Sequence, residues 1–224
     1  MTAVLFDMDG TLVDSEGLHG DATRRLLDEL GYGFPEDLGD RMTGMSVAEC
    51  HALLVRELRF ALSLAAFIEA KYRNYLAGAA RLQRRKGVDD VLSLLAGTPM
   101  AVVSNSDRML VDANLAAAKL AKPGLVTVSR NDVLRGKPDA EPYLRAAYLL
   151  GVSPGDCIVV EDSVPGAIAG LAAGMTVIGW PEPHRTDLVF PAGTIAADPQ
   201  DLVTVLAGLL AAPNTLKDAR HVSR

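Results

Sequence analysis

The sequence predicts an α/β fold: a doubly wound parallel sheet, interrupted after its first strand by an inserted all-helical domain. Three short apolar runs each end in small polar or acidic residues: "AVLF" (3–6), "AVVSNS" (101–106) and "CIVVEDS" (157–163). Such runs are typical of strands that are buried on both faces of a sheet. Helical patterns separate the runs, and this alternation favours an open parallel sheet with helices on both faces.

Weaker versions of the same signals predict the other elements of the core. We expect further strands at "VTVS" (126–129) and "TVIGW" (176–180). Apolar residues recur at helical spacing between these strands and again near the end of the chain. Core helices are therefore predicted over 107–118, 141–150, 164–173 and 201–212.

Helical spacing replaces the strand signals between the first and second apolar runs. Apolar and small residues recur there at helical intervals, and the first of these segments ends at Gly31, a residue that commonly terminates helices. The predicted helices cover 15–31, 46–58 and 64–78. We therefore predict a core domain formed by residues 1–14 and 83–224, with a helical cap domain over 15–82.

The composition argues against several classes of protein. The 224 residues carry a formal net charge of −6, which is unfavourable for a general nucleic-acid-binding protein. The longest apolar stretches are too short to span a bilayer, and Asp7 interrupts the only apolar run near the start, which argues against a signal peptide. The two cysteines lack CxxC or Cys/His spacing, so we expect neither zinc nor disulfides, and a cytoplasmic location.

Asp7 and Asp9 lie two positions apart where the first predicted strand ends, in "LFDMDGTLVDSE" (5–16). Two carboxylates at this spacing repel each other unless something compensates, and a divalent cation such as Mg²⁺, which prefers oxygen ligands, is the usual compensation. Gly10 allows the chain to turn, so that Asp9 can offer its backbone carbonyl instead. Taken alone, the pair is explained as well by the capping of a turn.

A second acidic strand end strengthens the hypothesis of a metal site. Glu161 and Asp162 follow the third apolar run, where a buried carboxylate needs a metal or hydrogen bonds. In open parallel sheets, ligands bind beyond the carboxyl ends of the strands. We therefore expect Asp7, Ser104 and Asp162 to converge on one crevice.

Ser104, Asn105 and Lys137 are candidates for binding an anion. A hydroxyl and free backbone amides at a strand-to-helix turn suit a phosphate, although capping of the helix is the commoner role of Ser and Asn. Lys137 lies in "RGKPDAEPYL" and can face a phosphate, although a lysine is ordinarily solvated. Pro138 fixes this loop and mildly favours a positioned lysine.

Four segments in this order resemble the haloacid dehalogenase superfamily: "DMDGT" (7–11), "SNS" (104–106), "GKP" around Lys137 and "EDS" (161–163). The start "DGTLVDSE" and the helical insert behind it resemble the β-phosphoglucomutase-like branch of that superfamily. The resemblance covers nearly the whole chain. It implies a Rossmann-like core and a mobile helical cap that closes over the site and selects the substrate.

The resemblance also implies a mechanism of phosphoryl transfer. Asp7 would be the nucleophile that forms an aspartyl-phosphate, and Asp9 would be the general acid and then the general base. Asp7, the carbonyl of Asp9 and Asp162 would hold Mg²⁺, with Glu161 as a further ligand or helper. The transferring phosphoryl group would be bound by Ser104, the Asn105 backbone and Lys137.

The resemblance extends into the cap. "TGMS" (43–46) is similar to the loop of the family that faces the active site, so Gly44 and Ser46 are candidates for contact with the substrate. His19 lies where some members carry a histidine in the first cap helix. Two roles stay open for His19. It either contacts the substrate or Asp9, or it is a polar helix residue near the interface.

The remaining cap residues are expected to play structural roles. Lys71 and the cap arginines are predicted to lie mostly on solvated faces of the cap helices, with one of them, not identified by the sequence, as a candidate to face the substrate. Tyr75 is predicted to pack in the interior. His184, in "PEPHR", is expected near the rim of the pocket. The hinges of the cap are expected near residues 14–16 and 80–86.

The motifs favour a phosphatase that acts on a small phosphorylated metabolite, and a sugar phosphate is the best guess. Dehalogenases of the family need neither a metal nor a second aspartate, so Asp9 and Asp162 point to phosphate chemistry. A sugar phosphomutase is the alternative, but Val47 stands where the mutase pattern has an arginine that clamps a second phosphate. A non-catalytic phosphate-binding protein is a third hypothesis.

We expect no nucleic-acid or membrane partner. We expect the protein to be a monomer, with a dimer as the alternative.

Overall fold

The main sheet consists of six parallel strands. The structure is a computed structural model, and it describes residues 1–42, 45–185, 187–198 and 201–211. The strands of the described residues are β1 (Ala3–Phe6), β2 (Val13–Asp14), β3 (Gln83–Arg84), β4 (Met100–Val103), β5 (Val126–Val128), β6 (Cys157–Glu161), β7 (Thr176–Gly179) and β8 (Ile195–Ala196). The main sheet has the order β5–β4–β1–β6–β7–β8, and β2 and β3 form a separate antiparallel pair.

Helices cover both faces of the sheet and form the segment between β2 and β3. Those of the described residues are α1 (Glu16–Glu29), α2 (Leu38–Met42), α3 (Val47–Leu58), α4 (Leu64–Gly78), α5 (Val88–Leu94), α6 (Arg108–Ala117), α7 (Glu141–Leu150), α8 (Val164–Ala172) and α9 (Leu202–Ala211). None of the helices in this described part of the chain is long and apolar enough to cross a bilayer.

The strand β1 shows why these short runs form the centre of the sheet. All four of its residues are buried, and its neighbours β4 and β6 pair with it in parallel register, so that Phe6 lies beside Val102 and Val160. Val4 and Phe6 pack on the face covered by α5, α6 and α9. Successive side chains of a strand alternate between its faces, and Ala3 and Leu5 accordingly pack on the face covered by α7 and α8.

The segment between β2 and β3 has an apolar cluster of its own. Leu27, Leu54, Phe60 and Phe67, from α1, α3, the following loop and α4, are buried together in it. The inner ends of α1 and α4 pack instead on the main core, for example through Tyr75. The boundaries of a cap domain at residues 15 and 82 stay a prediction.

The structure confirms the predicted fold class, with small differences at the ends of elements. The predicted helix over 107–118 begins and ends one residue inside that range, because Asp107 and Ala118 are its caps. The structure adds β2, β3 and β8, which have only two residues each, and the helices α2 and α5. Two residues are too few to show the alternation by which a strand is recognised in a sequence.

Arg85 connects β3 to two loops of the core. Its Nη1 donates to the carbonyl oxygens of Gly10 and Trp180, at 2.7 Å each, and its Nη2 donates to the carbonyl of Pro181. The guanidinium lies 3.6 Å from the centroid of the Trp180 ring, in a cation–π contact. Because Arg85 follows β3 directly, this buried side chain fixes β3 against the loops after β1 and β7.

We expect Arg85→Met to lower the free energy of unfolding by about 2–4 kcal/mol, because it leaves buried carbonyls without a donor. Urea denaturation would measure the loss. Arg81→Met is the control: Arg81 is exposed, and its ion pair with Asp21 is worth about 1 kcal/mol or less. Equal stability of the two variants would contradict this role of Arg85.

Candidate active site

The polar residues predicted to converge do so beyond the carboxyl ends of β1, β4 and β6. The backbone N–H of Asp7 donates to the carbonyl of Val160, at 3.0 Å, and thereby continues β1 beside β6. Oxygens of Asp7, Glu161 and Asp162 all lie within 4.8 Å of one another. Ser104, at the end of β4, is buried and donates from Oγ to Asp9 Oδ2, at 3.2 Å.

The ammonium group of Lys137 lies at the centre of this acidic cluster. Its Nζ donates to Asp7 Oδ1 (2.5 Å), to Glu161 Oε1 (2.6 Å) and to the carbonyl of Val103 (2.7 Å). The Lys137 side chain is 3% exposed, so it is not the solvated lysine that its residue type alone would suggest. The two carboxylates raise the pKa of Lys137 against the opposing effect of burial, so the side chain stays charged.

Asn105 positions Lys137 through two hydrogen bonds. The Asn105 side chain accepts from the backbone N–H of Lys137 at Oδ1 (2.8 Å) and donates to its carbonyl from Nδ2 (3.0 Å). The sequence predicts a phosphate contact from the backbone of Asn105. The structure shows that its side chain also holds the lysine loop in place.

Glu161 is fully buried, and its carboxylate receives four hydrogen bonds. Oε1 accepts from Lys137 and from the Tyr143 hydroxyl (2.6 Å), and Oε2 accepts from the Ser163 hydroxyl (2.9 Å) and backbone N–H (3.3 Å). A Cβ on Gly166 would overlap this carboxylate, so only glycine fits there. These donors satisfy the lone pairs of Glu161 and fix its carboxylate in place. The fixed carboxylate in turn orients Lys137.

Asp162 keeps a carboxylate oxygen directed at the turn after β1. Its Oδ1 accepts from the Thr11 hydroxyl, at 3.0 Å. Gly10 has φ +78°, and a Cβ at this position would overlap the Asp162 carboxylate, so both conformation and space require glycine. Burial, reinforced by the charge of Glu161, raises the pKa of Asp162 to about 7.

The donor set of this cluster fits a divalent metal ion. Burial raises the pKa of Asp7 well above its ordinary range, although Lys137 opposes the shift. Three carboxylates thus share one ammonium group, and the remaining negative charge needs either protons or a second cation. Oxygen atoms of carboxylates and of the backbone are the ligands of hard divalent cations. Asp7 and Asp162 could therefore hold a metal, whereas the oxygens of Glu161, the third carboxylate of the cluster, already accept from four donors.

Asp9 lies in a different environment from Asp7, among neutral donors. Oδ1 accepts from Ser15 Oγ (2.7 Å) and Asn114 Nδ2 (3.2 Å), and Oδ2 accepts from Ser106 Oγ (2.7 Å) and Ser104 Oγ (3.2 Å). Only Ser104 was singled out from the sequence for the site. Asn114 could have been noticed in the sequence, because it is a polar residue at a helical position that faces the interior in α6.

The cap side of the site is formed by α1 and α4. The Tyr75 hydroxyl donates to Asn114 Oδ1, at 3.0 Å, which links α4 to Asp9 through one side chain. The His19 ring lies 4.4 Å from the Tyr75 ring, and its buried Nδ1 has no hydrogen-bond partner among the described residues. Burial lowers the pKa of His19 to about 4, although the charge of Asp9 opposes the shift.

The structure corrects the expectation for Lys71 and assigns a structural role to Ser46. Lys71 is 5% exposed, so the prediction of a solvated lysine was wrong; burial lowers its pKa, and its charge is near enough to lower the pKa of His19. Ser46 forms a capping box with Glu49 at the start of α3, and its side chain therefore already has a role. Gly44 lies outside the described residues.

Comparison with known proteins identifies the family of this chain. The family model of haloacid dehalogenase-like hydrolases matches residues 1–174. The chain belongs to this family. It is therefore a hydrolase, and the family and the hydrolase class predicted from the sequence are confirmed.

Two relatives and one solved structure describe the similarity further. The bifunctional riboflavin kinase/FMN phosphatase of Arabidopsis thaliana is 31% identical over 84% of this chain, which spans 50% of that protein. The phosphorylated carbohydrates phosphatase of Thermotoga maritima is 31% identical, over 94% of this chain and 100% of that protein. The crystal structure of CbbY from Rhodobacter sphaeroides in complex with xylulose-(1,5)bisphosphate is 25% identical, with a TM-score of 0.75 over 88% of this chain and 94% of that chain.

The low pKa of His19 predicts a loss of stability in acid. Since the folded protein keeps His19 neutral down to about pH 4, the unfolded chain takes up a proton first as the pH falls below about 6.5. This residue should therefore lower the free energy of unfolding by about 2–4 kcal/mol between pH 6.5 and pH 4. Urea denaturation over this range should show a shallower loss for His19→Phe, and parallel curves would contradict the assignment.

Proposed function

We propose that the protein is a Mg²⁺-dependent phosphatase that hydrolyses a small phosphorylated metabolite, a sugar phosphate, through an aspartyl-phosphate on Asp7. The observation that carries this proposal is the contrast between the two aspartates. Asp7 contacts a buried ammonium and lies in the acidic cluster, whereas Asp9 accepts hydrogen bonds from four neutral donors. These environments suit Asp7 to act as the nucleophile and Asp9 to act as the acid–base group.

Asp7 is held for attack on phosphorus. Lys137 binds its Oδ1, which leaves Oδ2 to form the new bond to phosphorus while the bond from phosphorus to the leaving oxygen breaks. In the second step a water oxygen attacks phosphorus, the bond to Asp7 breaks, and inorganic phosphate leaves. Lys137 also places a positive charge where the phosphoryl oxygens would lie.

Asp9 would move the protons in both steps. It gives a proton to the leaving oxygen in the first step and takes one from the attacking water in the second. Asn114 connects it to Tyr75 on α4, so the position of the cap helix bears on the orientation of this carboxylate.

The acidic cluster would hold Mg²⁺ through the carboxylates of Asp7 and Asp162 and the carbonyl of Asp9. When bound, the ion offsets the negative charge that the phosphoryl group and the carboxylates bring together. Glu161, with its four donors in place, would act by holding Lys137.

The antiparallel pair β2–β3 is the proposed hinge. Val13 lies opposite Arg84 and Asp14 opposite Gln83, so both connections between the core and the helical segment cross at one place. Closure about this pair would exclude water from the site and bring the cap residues to the substrate.

The cap contributes polar groups suited to the rest of a sugar phosphate. Lys71 is a buried cation, and the Nδ1 of His19 lacks a partner among the described residues, so both can receive hydroxyl or anionic groups of a substrate. The Thermotoga relative acts on phosphorylated carbohydrates and the CbbY complex contains a sugar bisphosphate, which supports this class. Lys71 is also the observation that keeps a sugar phosphomutase as the second candidate, since a mutase needs a second cation in the cap.

The activity is tested by phosphate release from sugar phosphates, nucleotides and small phospho-acids, in Mg²⁺ and in EDTA. We expect selective release of phosphate from sugar phosphates that requires Mg²⁺. Asp7→Asn should abolish the release, and Asp9→Asn should lower kcat by about 10²–10⁴-fold. Asp90→Asn, an exposed carboxylate on α5, is the matched control and should stay active.

Two outcomes would contradict this function. Full activity of Asp7→Asn would rule out the aspartyl-phosphate. Conversion of a hexose 1-phosphate to its 6-phosphate, with bisphosphate added and no release of phosphate, would identify a mutase.

The contact between Tyr75 and Asn114 predicts a further effect on turnover. Asn114→Leu removes a donor to Asp9 and should lower kcat by about 10–100-fold with little change in KM, because the acid–base group is misplaced while binding is retained. Tyr75→Phe, which keeps the donor to Asp9, should have a smaller effect in the same direction. A change confined to KM would show that Asn114 does not position Asp9.

A further inference from the structure

A second group of metal-ligating side chains lies beside the hinge, apart from the acidic cluster at Asp7. Glu16 is the first residue of α1, and Glu182 and His184 lie in the loop after β7. His184 Nε2 is 3.8 Å from Glu16 Oε2 and 3.8 Å from Glu182 Oε2. One ligand atom from each residue lies within 4.8 Å of the other two.

Glu182 is the most buried of the three side chains. Its side chain is only 8% exposed, and no hydrogen-bond donor contacts it within residues 1–42, 45–185, 187–198 and 201–211. The guanidinium of the neighbouring Arg85 donates to three backbone carbonyls and not to Glu182. A buried carboxylate without a donor is costly unless a cation binds it.

We propose that Glu16, Glu182 and His184 form a second metal site, which takes a transition-metal ion of the Zn²⁺ type. An imidazole nitrogen with two carboxylate oxygens is a ligand set that suits Zn²⁺ better than Mg²⁺, which prefers oxygen alone. Zinc lies about 2.0–2.2 Å from such atoms, which places tetrahedral ligands about 3.4 Å apart. The distances of 3.8 Å therefore need to close by only a fraction of an ångström.

The position of the site gives it a consequence for the cap. Glu16 begins the helical segment, two residues after β2, whereas Glu182 and His184 belong to the core. An ion bound to all three ties the start of α1 to the loop after β7, next to the hinge pair. Zinc would thereby hold the cap in one arrangement and slow its opening, independently of Mg²⁺ at Asp7.

The binding of Zn²⁺ to the tag-free protein, in saturating Mg²⁺, tests this site. Calorimetry should show one zinc ion per wild-type chain, and the affinity should fall about tenfold or more in His184→Gln and in Glu182→Gln. His51→Gln and Glu36→Gln carry the same substitutions away from the site and should bind zinc like the wild type. If all five proteins titrate alike, the proposal is overturned, and a protonated His184 between two glutamates explains the geometry.

A second experiment distinguishes zinc binding at this site from zinc binding at the active site. Asp162→Asn should lose Mg²⁺ at Asp7 but keep the zinc site, so failure of the phosphatase proposal would leave this result unchanged. The only tryptophan of the chain, Trp180, lies two residues before Glu182, and its fluorescence should change with zinc in Asp162→Asn and not in Glu182→Gln. Loss of zinc binding in Asp162→Asn would assign the ion to the active site instead.

Discussion

The buried ammonium group of Lys137 is the interaction on which the site depends. It contacts carboxylates that follow two different strands, Asp7 after β1 and Glu161 at the end of β6, and the carbonyl of Val103 at the end of β4. Removing one member of such a buried group leaves the others with an uncompensated charge. The position of the Asp7 carboxylate therefore depends on the alignment of three neighbouring strands, and the candidate site and the centre of the sheet form one unit.

The fold and the first residues of the site could be predicted because they depend on local patterns. Buried strands have a recognisable composition, and the rule that their carboxyl ends face one crevice predicts from the sequence that Asp7, Ser104 and Asp162 lie together. Asn114 and Arg85 could not be assigned in this way. Each acts through a contact with residues far away in the chain, and a single polar residue in a helix or after a short strand does not say what it meets.

The error on Lys71 has the same physical origin. A lysine on an amphipathic helix is ordinarily solvated, and helical spacing alone cannot show that a second surface covers it. In this structure α4 packs on both its own apolar cluster and the main core, so the face that carries Lys71 is turned inward. Lys71 thus places a positive charge near His19, whose Nδ1 has no hydrogen-bond partner in the part of the chain that the structure describes.

The separate apolar cluster of the helical segment bears on where this fold can accept sequence changes. Leu27, Leu54 and Phe67 hold the outer parts of the helices together without contact with the sheet, whereas the inner ends of α1 and α4 pack on the main core. The core offers no such tolerance, because Gly10 and Gly166 have no room for a single methyl group. Substitutions in the outer part of the helical segment are therefore easier to accommodate than substitutions beside these two glycines.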